Sequence, residues 1–156
     1  MHHLLGSADR IAVVDVETTG LGATDEIVKL AVVTLDGAGT EVAVLDTLVR
    51  ASRPIGPGAS QVNGLRDADL AGAPTFADLA GEVARRLHGA VVVAHNAAFD
   101  LRMLGAALRR VGSHLTVERP VDTYRLTRMT LHQSLASHGI PAVDLHRALG
   151  DVRATA

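Results

Sequence analysis

The chain contains no cysteine, which excludes disulfides, thiolate metal sites and a cysteine nucleophile and suits a reducing cytoplasm. Aromatic residues stop at Phe76, Phe99 and Tyr124, with no tryptophan, too few for the extended stacking platform of a single-strand-binding module. Basic charge is not in excess either. A formal net charge of −2 excludes the broad cationic surface that grips duplex DNA non-specifically, so any nucleic-acid contact must be local. Lysine is nearly missing, with Lys29 beside fourteen arginines, a bias that genomic base composition explains as well as phosphate binding does. No stretch approaches the roughly 20 apolar residues of a membrane span, and residues 1–7 lack the basic and apolar regions of a signal peptide. A soluble cytoplasmic protein without a membrane partner is expected. Neither Gly-x-Ser-x-Gly nor His-Glu-x-x-His occurs, which leaves serine-hydrolase triads and zincins without support.

What is present begins at the first apolar run. Ile11-Ala12-Val13-Val14-Asp15-Val16-Glu17 is followed at once by Thr18-Thr19-Gly20-Leu21. Side-chain direction in a strand repeats every two residues, so Asp15 and Glu17 project from one face near the strand end. At about 4 Å and an effective dielectric near 20, two such anions repel by roughly 4 kcal/mol, and a divalent cation held by oxygen ligands is the natural relief.

The rest of the pattern predicts an α/β domain. Residues 26–36 and 40–50 read as two further strands around the Gly37-Ala38-Gly39 turn, making an antiparallel meander. Residues 52–64, rich in Pro and Gly, read as a loop. A helix is expected from an N-cap at Thr75 to Gly89, carried by Phe76, Leu79, Val83 and Leu87. Residues 90–94 form a continuous apolar run of the kind buried on both faces, and a second helix follows over Phe99, Met103, Leu104, Leu108 and Val111. A short strand over 117–121 and helical stretches over 122–129, 131–138 and 144–156 complete the chain. The sum is a mixed five-stranded sheet, meander first and parallel strands after, flanked by helices. Residues 1–9 are set aside as an N-terminal extension, and 10–156 are expected to form one domain, large enough for a substantial core.

Two further elements carry chemistry. In His95-Asn96-Ala97-Ala98-Phe99-Asp100, Asp100 opens the second long helix directly after the buried strand, which brings it to Asp15 and Glu17 if that strand lies beside the first. Near the C-terminus stand His146 and, after four intervening residues, Asp151. On one helix these two lie about 140° apart, so they can flank a site from different directions but cannot share a face.

These three segments, in this order, resemble the DEDDh family of 3′-to-5′ exonucleases, the group that contains the proofreading epsilon subunit of bacterial DNA polymerase III. The resemblance runs from Ile11 to the C-terminus. It implies a ribonuclease-H-like fold and a two-metal-ion mechanism with two Mg²⁺ or Mn²⁺ held by Asp15, Glu17, Asp100 and Asp151, with His146 as general base. Nucleoside 5′-monophosphates would be released from single-stranded or frayed 3′ ends, DNA favoured over RNA, with a DNA polymerase subunit as a partner. Thr18, Gly20 and Leu21 match the segment lining the terminal nucleotide, Leu21 as an apolar wedge and Phe99 under the neighbouring base, and Asn96 matches a polar position beside the substrate. Asn63-Gly64-Leu65 departs from the His-Gly-Ile of many relatives, although Asn63 retains a donor for the 3′ end. The family's last helix generally continues beyond the point where this chain stops, five residues after Asp151, which reads as a C-terminal truncation. His95, beside a buried strand, is expected to be structural. Two other readings stay open: a stand-alone nuclease trimming RNA or short oligonucleotides, and a catalytically silent binding module on the same fold.

Overall fold

A computed structural model describes residues 10–137, 153 and 155. Five strands form one sheet in the order β3-β2-β1-β4-β5. The strands β1 (Ile11–Thr18), β2 (Ile27–Leu35) and β3 (Glu41–Leu48) make the expected antiparallel meander, while β4 (Val91–Ala94) lies parallel to β1 and β5 (Arg119–Asp122) parallel to β4. β4 is buried at all four positions, as its unbroken apolar sequence requires for a strand flanked on both sides and covered on both faces.

Alternation along β1 divides the core. Ala12, Val14 and Val16 point into a large cluster with Leu30, Val32, Val83, Leu87, Val92, Met103 and Leu104. Val13 joins a smaller cluster on the other face with Ala31, Val33, Leu35, Val91 and Val93. The larger cluster is built with α2 (Phe76–Leu87) and α3 (Ala97–Arg110). α2 opens on the expected cap, with the Thr75 hydroxyl accepting from the Asp78 amide and the Asp78 carboxylate accepting from the Thr75 amide at 2.8 Å. This closes a reciprocal capping box.

Two segments differ from the sequence expectation. Within the stretch read as a loop, α1 (Pro57–Asn63) forms, and a 3-10 turn over Asp67–Leu70 follows it. α1 buries none of its residues and so carries no apolar stripe, but Pro57 suits its first turn and Gly64, at φ 72°, suits its left-handed end. The last strand begins at Arg119 rather than at 117. After it come α4 (Thr123–Thr127) and α5 (Leu131–Ser137). Of the final helical stretch expected, Arg153 and Thr155 are described as helical, and Arg153 reaches Glu41 at 3.2 Å. No helix among the described residues is long and apolar enough to cross a membrane.

Candidate active site

The candidate residues gather where β1 and β4, running parallel, both end, the edge at which open α/β sheets bind ligands. Because Val14 and Val16 are committed to the helix-covered core, Asp15 and Glu17 are turned to the other face of β1. The register of the strand pair shifts between Glu17 and Thr18, so the strand twists away just beyond the second carboxylate.

Asp100 enters from the first turn of α3. It is 3% exposed, and its Oδ1 accepts the Val16 backbone amide at 3.0 Å, at the residue that separates Asp15 from Glu17. That hydrogen bond fixes the third carboxyl against the other two across 84 positions of sequence. Burial pushes the Asp100 carboxyl up to about 7, opposed by the Val16 amide and its own, and reinforced by the negative charges of Glu17 and Asp122. Oδ2 of Asp15 is buried as well. Asp15, Glu17 and Asp100 therefore bring hard oxygen donors to one strand end, where the charge of Asp100 is opposed by burial and by Glu17, the donor chemistry that fits a Mg²⁺-like cation. Among the described residues, no group of three or more histidines and acids already stands at metal-holding separation. His146 and Asp151, the other two expected members, lie outside the described residues.

The turn leaving β1 is tightly built. The Thr18 hydroxyl donates to the Gly20 carbonyl at 2.7 Å, and the Asp25 carboxylate accepts from the Thr19 hydroxyl and the Gly22 amide, both at 2.7 Å. A Cβ on Gly20 would stand 2.6 Å from Asp25 Oδ2, so glycine is needed there for close approach. Leu21, at the tip, is 78% exposed. Asn63 links this region to α1, donating from Nδ2 to the Thr18 carbonyl at 3.3 Å and accepting the Leu65 amide at 2.9 Å.

On the α3 side, Asn96 adopts a left-handed conformation, φ 69°, and its side chain makes no cap hydrogen bond. Its amide is held instead by Asp122 Oδ1 at 3.0 Å. Asp122 also caps α4 through the amides of Tyr124 and Arg125. His95 is half-buried, with Nδ1 2.9 Å from the Thr123 hydroxyl and its ring edge-on to Tyr124. Burial lowers its pKa against the pull of Asp122. Phe99 packs against the larger core while the Arg102 guanidinium lies over its ring, 5.3 Å from the centroid.

Sequence reasoning missed Asp25, Arg102 and Asp122. Asp25 ends the Gly-rich turn after β1 and Asp122 precedes a helical stretch, both habitual acceptor positions for backbone amides. Arg102 leaves no such signal. A cavity of about 360 Å³ lined by Arg85, Leu87, His88, His114 and Leu115 adjoins the start of β4 instead, and none of the carboxylates borders it.

The RNase_T exonuclease family model matches residues 12–156. The chain is 34% identical to the DNA polymerase III subunit epsilon of Treponema pallidum in an alignment that takes in 89% of this chain and 69% of that protein. It is 38% identical to a DNA polymerase III subunit epsilon-like protein of Rhodobacter capsulatus in an alignment that takes in 92% of this chain and 22% of that protein. In structure it superposes on Escherichia coli Exonuclease I, solved in complex with a dA16 oligonucleotide, with TM-score 0.85 at 16% identity, over 94% of this chain and 39% of that one. With the carboxylate-bearing strand, the buried Asp100 and the mixed sheet in place, the chain belongs to the exonuclease family.

Proposed function

We propose that this protein is a 3′-to-5′ exonuclease that releases nucleoside 5′-monophosphates from single-stranded or frayed 3′ ends, DNA in preference to RNA, in the manner of a proofreading subunit. The observation that carries the reading is the docking of Asp100 on the Val16 amide, which joins the third carboxyl to the Asp15 and Glu17 pair. Two divalent cations, Mg²⁺ or Mn²⁺, held by Asp15, Glu17, Asp100 and Asp151, would activate the attacking water and stabilise the leaving 3′ oxygen. His146 takes the proton of the attacking water, a task for which an imidazole is suited at neutral pH. Leu21 and Phe99 receive the last bases, and Gly20 lets the backbone come close to the terminal nucleotide. Asn63, whose amide bridges to Thr18, sets the wall of that subsite and keeps a second N–H for the 3′ end.

The DNA preference and the polymerase partner rest on the epsilon subunits among the relatives and on the oligonucleotide bound by Exonuclease I. The cytoplasm is the matching location, with residues 10–156 as the nuclease domain. The test is release of mononucleotides from 3′-labelled DNA and RNA strands with Mn²⁺, against an Asp15→Ala control. Faster release from DNA than RNA, abolished in the control, is expected. Equal inertness of folded wild type and control would overturn the reading, and faster release from RNA would replace it with RNA trimming.

A further inference from the structure

An exposed leucine at the tip of a glycine-rich turn ought to sample many positions, since neither its side chain nor the backbone is restrained by packing. The turn carrying Leu21 is instead fastened from several sides. Within it, Asp25 gathers the Thr19 hydroxyl and the Gly22 amide. From outside, Arg53 stands 3.6 Å from the Asp25 carboxylate and donates to the Thr24 hydroxyl at 2.6 Å. Arg110, at the end of α3, donates to the carbonyls of Ala23 and Asp25 at 3.2 to 3.3 Å. One attachment reaches the tip itself. Arg102 Nη2 donates to the Leu21 carbonyl at 3.3 Å, while the same guanidinium covers the Phe99 ring.

Arg102 thus touches both apolar groups expected to meet the last bases, one through its backbone and one through its ring. A planar guanidinium can do this where an ammonium cannot, because one face stacks while the edge donates. Among the described residues Arg102 forms no ion pair with a carboxylate. We propose that Arg102 is a positioning residue that fixes Leu21 at a set separation from Phe99, so that the wedge is formed before a strand arrives. The proposal rests on the exonuclease reading and deepens it. A wedge held in advance spares the ordering cost on binding. It matters most where a terminal base must be pulled from its stack, and little where the end is already single-stranded.

The experiment compares wild type, Arg102→Met, Arg102→Lys, Leu21→Ala and the Arg102→Met/Leu21→Ala double variant, with Mn²⁺, on matched DNA substrates with paired and single-stranded 3′ ends. Arg102→Met is expected to lower the paired-to-single-stranded rate ratio about tenfold, chiefly through KM, because a wedge out of place by a fraction of an ångström loses its grip on the stack. Arg102→Lys, which keeps a donor for the Leu21 carbonyl, should recover part of that loss. The double variant should be no worse than Leu21→Ala, the signature of two residues acting through one contact. In the free protein, methyl relaxation of Leu21 should report faster, wider motion in Arg102→Met than in wild type. Losses that are equal on both ends, that multiply in the double variant, or that leave Leu21 as rigid as before would overturn the inference. A wild type that releases no nucleotide from either end overturns the exonuclease reading and the wedge's role together, whereas an active wild type matched by Arg102→Met overturns this inference alone.

Discussion

Asp25 and Asp100 flank the same strand end and are pushed in opposite directions. The Thr19 hydroxyl and the Gly22 amide, with help from Arg53 and Arg110, hold Asp25 below the usual carboxylate range. Burial beside Glu17 and Asp122 raises Asp100 to about 7. One carboxylate is a finished structural part, solvated and hydrogen-bonded into a turn. The other sits where its charge is opposed by its surroundings, an opposition that an added cation would relieve. The turn after β1, the lip of the proposed substrate site, is therefore complete in the protein alone, whereas the carboxylate cluster of the proposed reaction would be completed by something that binds.

The sharpest way to break that contrast is Asp100→Asn. Turnover should fall about 10³ fold or more, since a carboxylate aimed at the reacting centre is lost. Stability should move the other way. A carboxyl whose folded-state pKa is raised from 3.8 to about 7 binds its proton more tightly when folded, so the metal-free wild type loses stability as pH climbs from about 4 through 7. The penalty is at most about 4 kcal/mol above that window. The Asn variant has no such titration. Its metal-free melting temperature should exceed that of wild type at pH 8 and lose the advantage at pH 4. Scanning calorimetry at both pH values with chelator present checks this, and a variant no more stable at pH 8 than at pH 4 relative to wild type would undo the claim that Asp100 is strained by charge.

How far the sequence alone reached follows the same division. Alternation placed Asp15 and Glu17 on one face because Val14 and Val16 had to be buried, and the unbroken apolar run over 90–94 announced a strand buried on both faces. Asp100 was legible because it opens the helix directly after that strand. The turn from Gly20 to Asp25 was read for its glycine and its leucine but not for what holds it. Hydrogen bonds from Arg102 and Arg110 to main-chain carbonyls can be made at any loop position, so they impose no residue pattern on the partner. α1 escaped for a related reason: a helix that buries no side chain has no period to detect.

Asp25→Ala sharpens the other half of the comparison. It removes acceptors for a hydroxyl and an amide and a partner for Arg53, so unfolding free energy should drop by about 2 kcal/mol at neutral pH. Because the folded-state pKa is depressed, this contribution is present above the unfolded value of 3.8 and fades as pH falls through the lower folded value. The wild type's advantage over the variant in urea midpoint should therefore shrink in acid, whereas at Asp100 the advantage that shrinks in acid is the variant's. KM for single strands should rise more than kcat falls, because the lip and not the carboxylate centre is disturbed. A wild type more stable than both variants above neutral pH, with both advantages lost in acid, would show that the two acids are not opposed.

Gly20→Ala probes the same lip by addition. Its Cβ would meet Asp25 Oδ2 at 2.6 Å, and relief requires the Asp25 carboxylate to rotate out of its bonds to Thr19 and Gly22. The expected cost is about 1 to 2 kcal/mol, smaller than losing Asp25 because the turn can shift to retain part of the network. Combined with Asp25→Ala, the Gly20→Ala penalty should largely vanish, since the obstacle is gone. A penalty that persists undiminished in the double variant would mean that glycine is needed at position 20 for a reason other than the carboxylate beside it.

The smallest effect belongs to a cap with no part in either region. Thr75 accepts the Asp78 amide at the start of α2, and Asp78 returns the bond. Thr75→Ala should cost about 1 kcal/mol of stability, the usual worth of a lost N-cap. The Asp78 carboxylate, held below its ordinary range first by the Thr75 hydroxyl, should titrate closer to normal in the variant. Since α2 packs on the helix-covered face of the sheet and Asp15 and Glu17 project from the other, kcat and KM should stay within about twofold of wild type, as for a substitution distant from the reacting groups. A larger kinetic change would mean that motion of α2 reaches β1 through Val14 and Val16, and that the two faces of this sheet are not mechanically separate.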